Sequence, residues 1–554
     1  MATRQQMWDR LGPAVDLVVI GGGITGAGIA RDAVRRGLSV VLLEQGDFAS
    51  GTSSRSSKLV HGGLRYLEQY EFSLVFEAVS ERRILMEIAP HLVNPLGFLF
   101  PVYDNSRKPL WMVNAGMWVY EGLSLFRSPK RHKTLKTQAE VQAEEPLLAT
   151  DGMTGAPLYY DCSTNDARLT LENVIDAANH GAVVTSWARV VSFVKDGGRV
   201  TGVVVEDRAT GELKTVSAGA VLNATGPWTD ATLAMSQGGA PRLLRPTKGV
   251  HIVVPHARLP VRHAVVCLHP GDGRLLFAIP WGEDTYIGTT DTDWHGDPAK
   301  VAASRADVDY LLAAARKYFP SCRITEDDVH STWAGLRPLI APPASGVAES
   351  NVSREHHIVV HPDGLVTVAG GKLTTYRRMA AEVVDTAVNL LRLTRRNLGK
   401  LKASATDTDP LPGGVGWPAD DDHAQVAASI AAAAKGAIGP DSARLLADTY
   451  GMRGHDLARR IADDPRLADR LVPGRPELLV QVDWAVDEEL AATPADVLIR
   501  RTQLYYRDRD QGLGALPVIA ARMAEKLGWS AERQQAEIAA YEAEVALSRA
   551  WRSG

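Results

Sequence analysis

Residues 16–20, Asp-Leu-Val-Val-Ile, form a short apolar run of strand length that ends abruptly on glycines. Apolar positions then recur at helical spacing over residues 24–36, and Gly37 is the residue type suited to closing a helix. A second apolar run, residues 38–43, stops at Glu44. Strand, glycine turn, helix, strand and acid in that order predict a βαβ unit. Residues 72–88 predict an amphipathic helix. Short β-rich runs follow at 188–194, 199–206, 220–223, 250–254, 275–279 and 285–288. They point to a second, largely antiparallel sheet interleaved with the first domain. The segment Thr406-Asp-Thr-Asp-Pro-Leu-Pro-Gly-Gly414 has the density of Pro, Gly and Asp that marks a linker. Beyond it the chain is helical, with Ile538, Tyr541 and Val545 on one face of a last helix. The expected fold is α/β: a Rossmann-like nucleotide-binding domain interleaved with a β-sheet substrate domain over residues 14–395, a linker over 396–421, and a helical domain over 422–554.

Composition changes this picture little. A chain of 554 residues exceeds what one hydrophobic core supports, so several domains are expected. With 45% hydrophobic and 23% charged residues it is an ordinary globular sequence. A net charge of −4 lacks the basic excess of a nucleic-acid binder, so an anionic ligand needs a local basic cluster. Cys162, Cys267 and Cys322 are scattered, the pattern of a reducing, cytoplasmic compartment. The first 15 residues include Arg4, Asp9, Arg10 and Pro13 and lack the apolar core of a secretory signal. No run of about 18 apolar residues predicts a spanning helix. Attachment to a membrane surface stays open.

The most informative motif is Gly21-Gly-Gly23-Ile-Thr-Gly26. In G-x-G-x-x-G the first glycine allows a tight turn, the second lets a pyrophosphate approach, and the third lets helix and strand pack closely. The helix N-terminus then stabilises the phosphates, and Glu44 is placed to accept hydrogen bonds from ribose hydroxyls. Gly271-Asp-Gly273 and Gly512-Leu-Gly514 lack the third glycine and its helix. One fingerprint favours one bound cofactor that carries the redox chemistry itself.

After Glu44 comes Thr52-Ser-Ser-Arg-Ser-Ser-Lys58-Leu-Val-His61-Gly-Gly63-Leu-Arg65-Tyr66-Leu-Glu68. Here the sequence closely resembles the FAD-dependent glycerol-3-phosphate dehydrogenases, within the amino-acid-oxidase-like flavoproteins. The resemblance continues through Asn223-Ala-Thr-Gly-Pro-Trp228, Lys248-Gly-Val-His251 and Ile287-Gly-Thr-Thr-Asp291. Gly335-Leu-Arg337-Pro-Leu339 and Gly370-Gly-Lys372-Leu-Thr-Thr-Tyr376-Arg377 complete it, strongly over residues 14–395. Thr493-Pro-Ala-Asp-Val-Leu-Ile-Arg-Arg-Thr502 resembles the family's C-terminal domain.

The resemblance implies non-covalent FAD, oxidation of sn-glycerol 3-phosphate to dihydroxyacetone phosphate, and electron transfer to a membrane quinone. It also implies docking on the inner face of the cytoplasmic membrane. Gly21, Gly23, Gly26 and Glu44 are expected at the cofactor, with Thr52, Ser53, Ser54, Ser57, Lys58, His61, Gly62 and Gly63. Thr225, Gly226, Gly370, Gly371, Leu373 and Thr374 join them. Family pattern places Arg65, Tyr66, His251, Arg337, Arg354, Lys372 and Thr374 around the substrate. Arginine suits a phosphate because its planar fork donates two charge-assisted hydrogen bonds. His251 is the candidate base, since imidazole titrates near neutrality. Arg337 is a candidate for the phosphate or the developing alkoxide, and Lys372 for the reduced flavin. Asp291-Thr-Asp293-Trp-His295-Gly296 starts like a calcium loop, yet its twelfth position is Ala302 where Glu is needed, so no metal is expected. An oxidase that returns electrons to oxygen, or a non-catalytic sensor of flavin or glycerol phosphate, fits the same motifs. The helical domain's role is open among cap, homodimer contact and partner surface.

Overall fold

The βαβ unit forms as the sequence predicts. Strand Val15–Ile20 runs parallel to Val40–Leu43 on one side and to Leu213–Asn223 on the other. It is buried along nearly its whole length, which is why it reads as a continuous apolar run. The computed structural model describes residues 2–12, 14–64, 67, 70–239, 242–341, 355–394 and 398–553. Val183–Thr185 and Val366–Gly370 extend the parallel array, and His356–Val360 closes one edge antiparallel. Helices Ile24–Arg36, Asp166–Asn179 and Tyr376–Thr394 pack together against this sheet. Arg31 and Arg35 both donate to the buried Asp176, tying the first two helices together.

One expectation changes. The runs at 188–194 and 199–206 form a hairpin, Ala188–Asp196 with Arg199–Asp207, that continues onto Leu213–Asn223. These two runs, and the run at 220–223 within Leu213–Asn223, therefore belong to the nucleotide sheet, eight-stranded among the described residues, and not to the second one. Alternation marks a half-buried strand but carries no information about its distant partner.

Among the described residues the second sheet has eleven strands. Its centre is Leu244–Pro255, antiparallel to Asp284–Gly288 and to Ser331–Ile340. Leu275–Trp281, Ala264–Leu268, Asn94–Leu99 and Met153–Ser163 carry it outward. Helix Arg305–Tyr318 covers one face through Val308, Leu311 and Leu312. The other face presents Val253, Tyr286 and Trp333 to C-terminal residues that include Val482, Leu498, Tyr506 and Val545. Helices from His423–Ala433 to Val480–Glu489 enclose their own core around Ile430, Leu446, Leu457 and Trp484. Helix Ala531–Arg549 buries Tyr541 and Val545, as its periodicity predicts.

Candidate active site

Between the two sheets lies a cavity of about 400 Å³. Its nucleotide end starts where Val15–Ile20 turns into helix Ile24–Arg36. Gly26 allows that turn: a Cβ there would stand 1.9 Å from the Gly21 carbonyl oxygen. The first N–H of the helix, at Ile24, donates to Ser53 Oγ at 2.9 Å, which fixes the following loop against the turn. Glu44 accepts from the N–H groups of Gly22 at 2.7 Å and Gly46 at 2.8 Å. Burial pushes its carboxyl up, partly offset by those two donors. A carboxylate so oriented keeps lone pairs for a ribose. Glycine backbone, hydroxyls at Ser50, Thr52, Ser53 and Thr225, and one acid make a donor and acceptor set that suits a dinucleotide.

The opposite end is built by strand register. His251 stands across from Trp333 on one side and Gly288 on the other. Its ring stacks on Trp333 with centroids 4.5 Å apart. Trp333, Gly335 and Arg337 alternate along one strand and share a face. Gly249 is what lets the Arg337 fork lie there, since a Cβ would sit 2.6 Å from its terminal nitrogen. That fork donates to Asp291 Oδ1 at 3.0 Å, to Thr289 Oγ1 at 3.1 Å and to the Thr290 carbonyl at 3.2 Å. His251 Nε2 lies 2.9 Å from Ser57 Oγ, while buried Nδ1 has no hydrogen-bond partner among the described residues. Burial, reinforced by the charges of Arg337 and Lys58, holds His251 well below the usual histidine range. It is a neutral imidazole near pH 7.

The cavity wall includes the expected Gly21, Gly23, Glu44, Thr52, Ser53, Ser57 and His61. Thr225, Gly226, His251, Arg337, Gly370, Gly371, Lys372, Leu373 and Thr374 complete the expected set that lines it. Gly26, Ser54, Lys58, Gly62 and Gly63 are not among the residues that line it. Lys58 points inward because its ammonium is bound to buried Asp166 at 2.7 Å and to the Ser54 carbonyl at 3.0 Å. Gly62 packs under Tyr120, whose hydroxyl accepts its N–H. Arg65, Tyr66 and Arg354 lie outside the described residues. Asp291 and Asp293, the calcium-like pair, instead hold Arg337 and Arg245. Sequence reasoning does not single out Trp333 or Thr289, and it does not pair Asp291 with Arg337. Trp333 was recoverable from its period-two spacing to Arg337; the Asp291 pairing spans 46 residues and leaves no local trace.

A profile described as FAD dependent oxidoreductase matches residues 16–377, and one described as the C-terminal domain of alpha-glycerophosphate oxidase matches 404–534. Glycerol-3-phosphate dehydrogenase 2 of Mycobacterium tuberculosis is 39% identical over 98% of this chain and 90% of its own. The chain belongs to the FAD-dependent glycerol-3-phosphate dehydrogenase family. Another member, the aerobic enzyme of Staphylococcus aureus, is 38% identical over 96% of this chain and 93% of its own. The family's glycerol-3-phosphate dehydrogenase from Bacillus halodurans, solved in complex with FAD, superposes with a TM-score of 0.82. It is 35% identical and covers 98% of this chain and 97% of its own. As in the rest of the family, the cofactor is FAD, and the glycine turn, Glu44 and the hydroxyl-lined wall are the residues that fit it.

Proposed function

We propose that this protein oxidises sn-glycerol 3-phosphate to dihydroxyacetone phosphate and passes the electrons to a membrane quinone. What carries the reading is a neutral imidazole and a held guanidinium, His251 and Arg337, on the wall of the cavity that the dinucleotide turn also lines. The names of relatives matched over nearly the full length support the substrate.

Non-covalently bound FAD supplies the acceptor for the hydride that leaves C2. The chain's residues bind, orient and move the proton. Arg337 grips the phosphate dianion through its planar fork, and Asp291 and Thr289 hold that fork ready, so binding has little left to order. His251 takes the C2 hydroxyl proton as the C–H bond breaks, because only the neutral ring offers a lone pair. A bound dianion offsets the Arg337 charge that weakens the imidazole as a base, so His251 accepts a proton more readily in the complex than in the free protein. Lys372 on the same wall favours the negative charge that accompanies flavin reduction.

A surface feature supports the membrane acceptor. Helix Leu110–Leu123 and the turn after it leave Trp111, Trp118, Leu125 and Phe126 more than half exposed. In the sequence around them stand Arg107, Lys108, Arg127, Lys130, Arg131, Lys133 and Lys136; Lys133 pairs with Glu144, and Glu121, the one carboxylate of residues 107–136, is buried against His132. Aromatic side chains between cations fit the interface of an anionic bilayer. The neighbouring helix Phe72–Ile88 touches both this helix and the cavity-lining segment Leu373–Thr375. Among the described residues no helix is long and apolar enough to cross a membrane.

The acceptor is tested by turnover with sn-glycerol 3-phosphate on anionic vesicles that carry a quinone. Quinone reduction without peroxide is expected. The double variant Trp118→Ser, Phe126→Ser should lose turnover with vesicle-held quinone and keep it with a water-soluble dye. Peroxide in step with substrate consumption would overturn the quinone assignment in favour of an oxidase.

A further inference from the structure

Asp47 follows Glu44 on the loop that supplies Gln45, Ser50, Gly51, Thr52 and Ser53 to the cavity. Its own carboxylate turns away from the cavity and is completely buried. There it accepts from Arg500 Nε and Arg501 Nη1. Burial pushes the carboxyl up, yet the two guanidiniums outweigh it and hold it below the usual range. Both arginines come from Asp496–Arg501, a π-helical turn of a kind frequent at functional positions. Each is fixed again from its own side. Arg500 donates to Asp496 at 2.7 Å, and Arg501 donates to the Glu489 carbonyl at 2.7 Å.

Three more bonds join the same region. Asp496 accepts from the Trp187 indole at 3.2 Å, and the backbone N–H of Trp187 donates to Gly46 at 2.7 Å. Tyr506 donates its hydroxyl proton to the Ser54 carbonyl at 3.2 Å. Loop 44–54 is thus gripped from behind by side chains over 450 positions away, while its front faces the cofactor.

We propose that Arg500, Arg501 and Tyr506 are positioning residues for FAD, through which the C-terminal helical region keeps loop 44–54 in its cofactor-binding shape and so retains FAD. The proposal rests on FAD occupying the cavity and is independent of which alcohol is oxidised. A loop held in shape spares FAD the entropy of ordering it. Linkage makes the effect reciprocal: bound FAD must protect residues 489–506.

The test uses the full chain. FAD dissociation constants are measured by flavin fluorescence for the parent, Tyr506→Phe and Arg501→Lys. Thermal unfolding is followed with and without FAD, and amide exchange of residues 489–506 in the parent with and without FAD. Losing one net hydrogen bond should raise the dissociation constant of Tyr506→Phe roughly 2- to 12-fold. Its melting temperature without FAD should stay near that of the parent, and FAD should slow exchange at 489–506. Arg501→Lys, which breaks the fork, should weaken FAD about tenfold or more. If Arg501→Lys does not fold, the other two readouts decide. Dissociation constants within twofold of the parent, with equal losses of melting temperature with and without FAD, would reduce these residues to fold stability alone. Unchanged exchange at 489–506 on FAD binding would also overturn the proposal.

Discussion

Replacing His251 by Gln should lower the rate of flavin reduction by sn-glycerol 3-phosphate about 10²- to 10⁴-fold, the range for losing a positioned general base. FAD should remain bound. Glutamine retains a polar group for Ser57 and fills part of the space against Trp333, so the comparison separates proton transfer from packing. Stopped-flow reduction under anaerobic conditions gives the rate, and the flavin-to-protein ratio reports retention. The sign of the pH dependence follows from the cavity. Burial and the neighbouring cations depress the His251 pKa, so the ring is neutral through the physiological range and gains a proton only in more acidic solution. Reduction by the parent protein should therefore fall as pH is lowered, and the Gln variant should lack that limb. Reduction within tenfold of the parent, or loss of FAD in proportion to loss of rate, would remove His251 from the role of base.

Arg337→Met should cost about 10²-fold or more in kcat/KM, mostly as a raised KM. A guanidinium that holds a phosphate dianion contributes two charge-assisted hydrogen bonds, each worth roughly 1.5–3 kcal/mol. The variant also deprives Asp291 of its partner, leaving a carboxylate that repels the substrate. Arg337→Lys keeps the charge without the fork and should fall between the two. Steady-state kinetics with sn-glycerol 3-phosphate and with glycerol decide the role. If Arg337 grips phosphate, the Met variant loses most of the preference for the phosphorylated substrate. A fall in kcat with unchanged KM and preserved preference would assign Arg337 to the developing alkoxide instead.

The sequence made local units legible and left distant pairings hidden. Residues 16–44 carry their whole fold within one βαβ unit, so strand, turn, helix and Glu44 all stand where their periodicity and glycines place them. Helix Phe72–Ile88 is equally local. The hairpin at 188–207 was assigned to the wrong sheet because its partner strand, Leu213–Asn223, serves the nucleotide sheet and the hairpin at once. Met153–Ser163 was not expected as a strand, since Gly155, Pro157 and Asp161 interrupt its alternation. In the site, imidazole chemistry singles out His251 as the candidate base, and the fold puts it on the cavity wall. Its stacking on Trp333 is a matter of cross-strand register that no single segment encodes. Lys58 is expected at the cofactor by resemblance, and only the fold reveals buried Asp166, 108 residues on, as the partner of its ammonium.

The most direct measurement is an anaerobic absorbance titration of the FAD-loaded protein with sn-glycerol 3-phosphate, following the oxidised-flavin band. Stoichiometric bleaching, absent with glycerol at the same concentration, is the predicted result. A flavin that stays oxidised at saturating sn-glycerol 3-phosphate would contradict the substrate assignment and, with it, the roles given to His251 and Arg337.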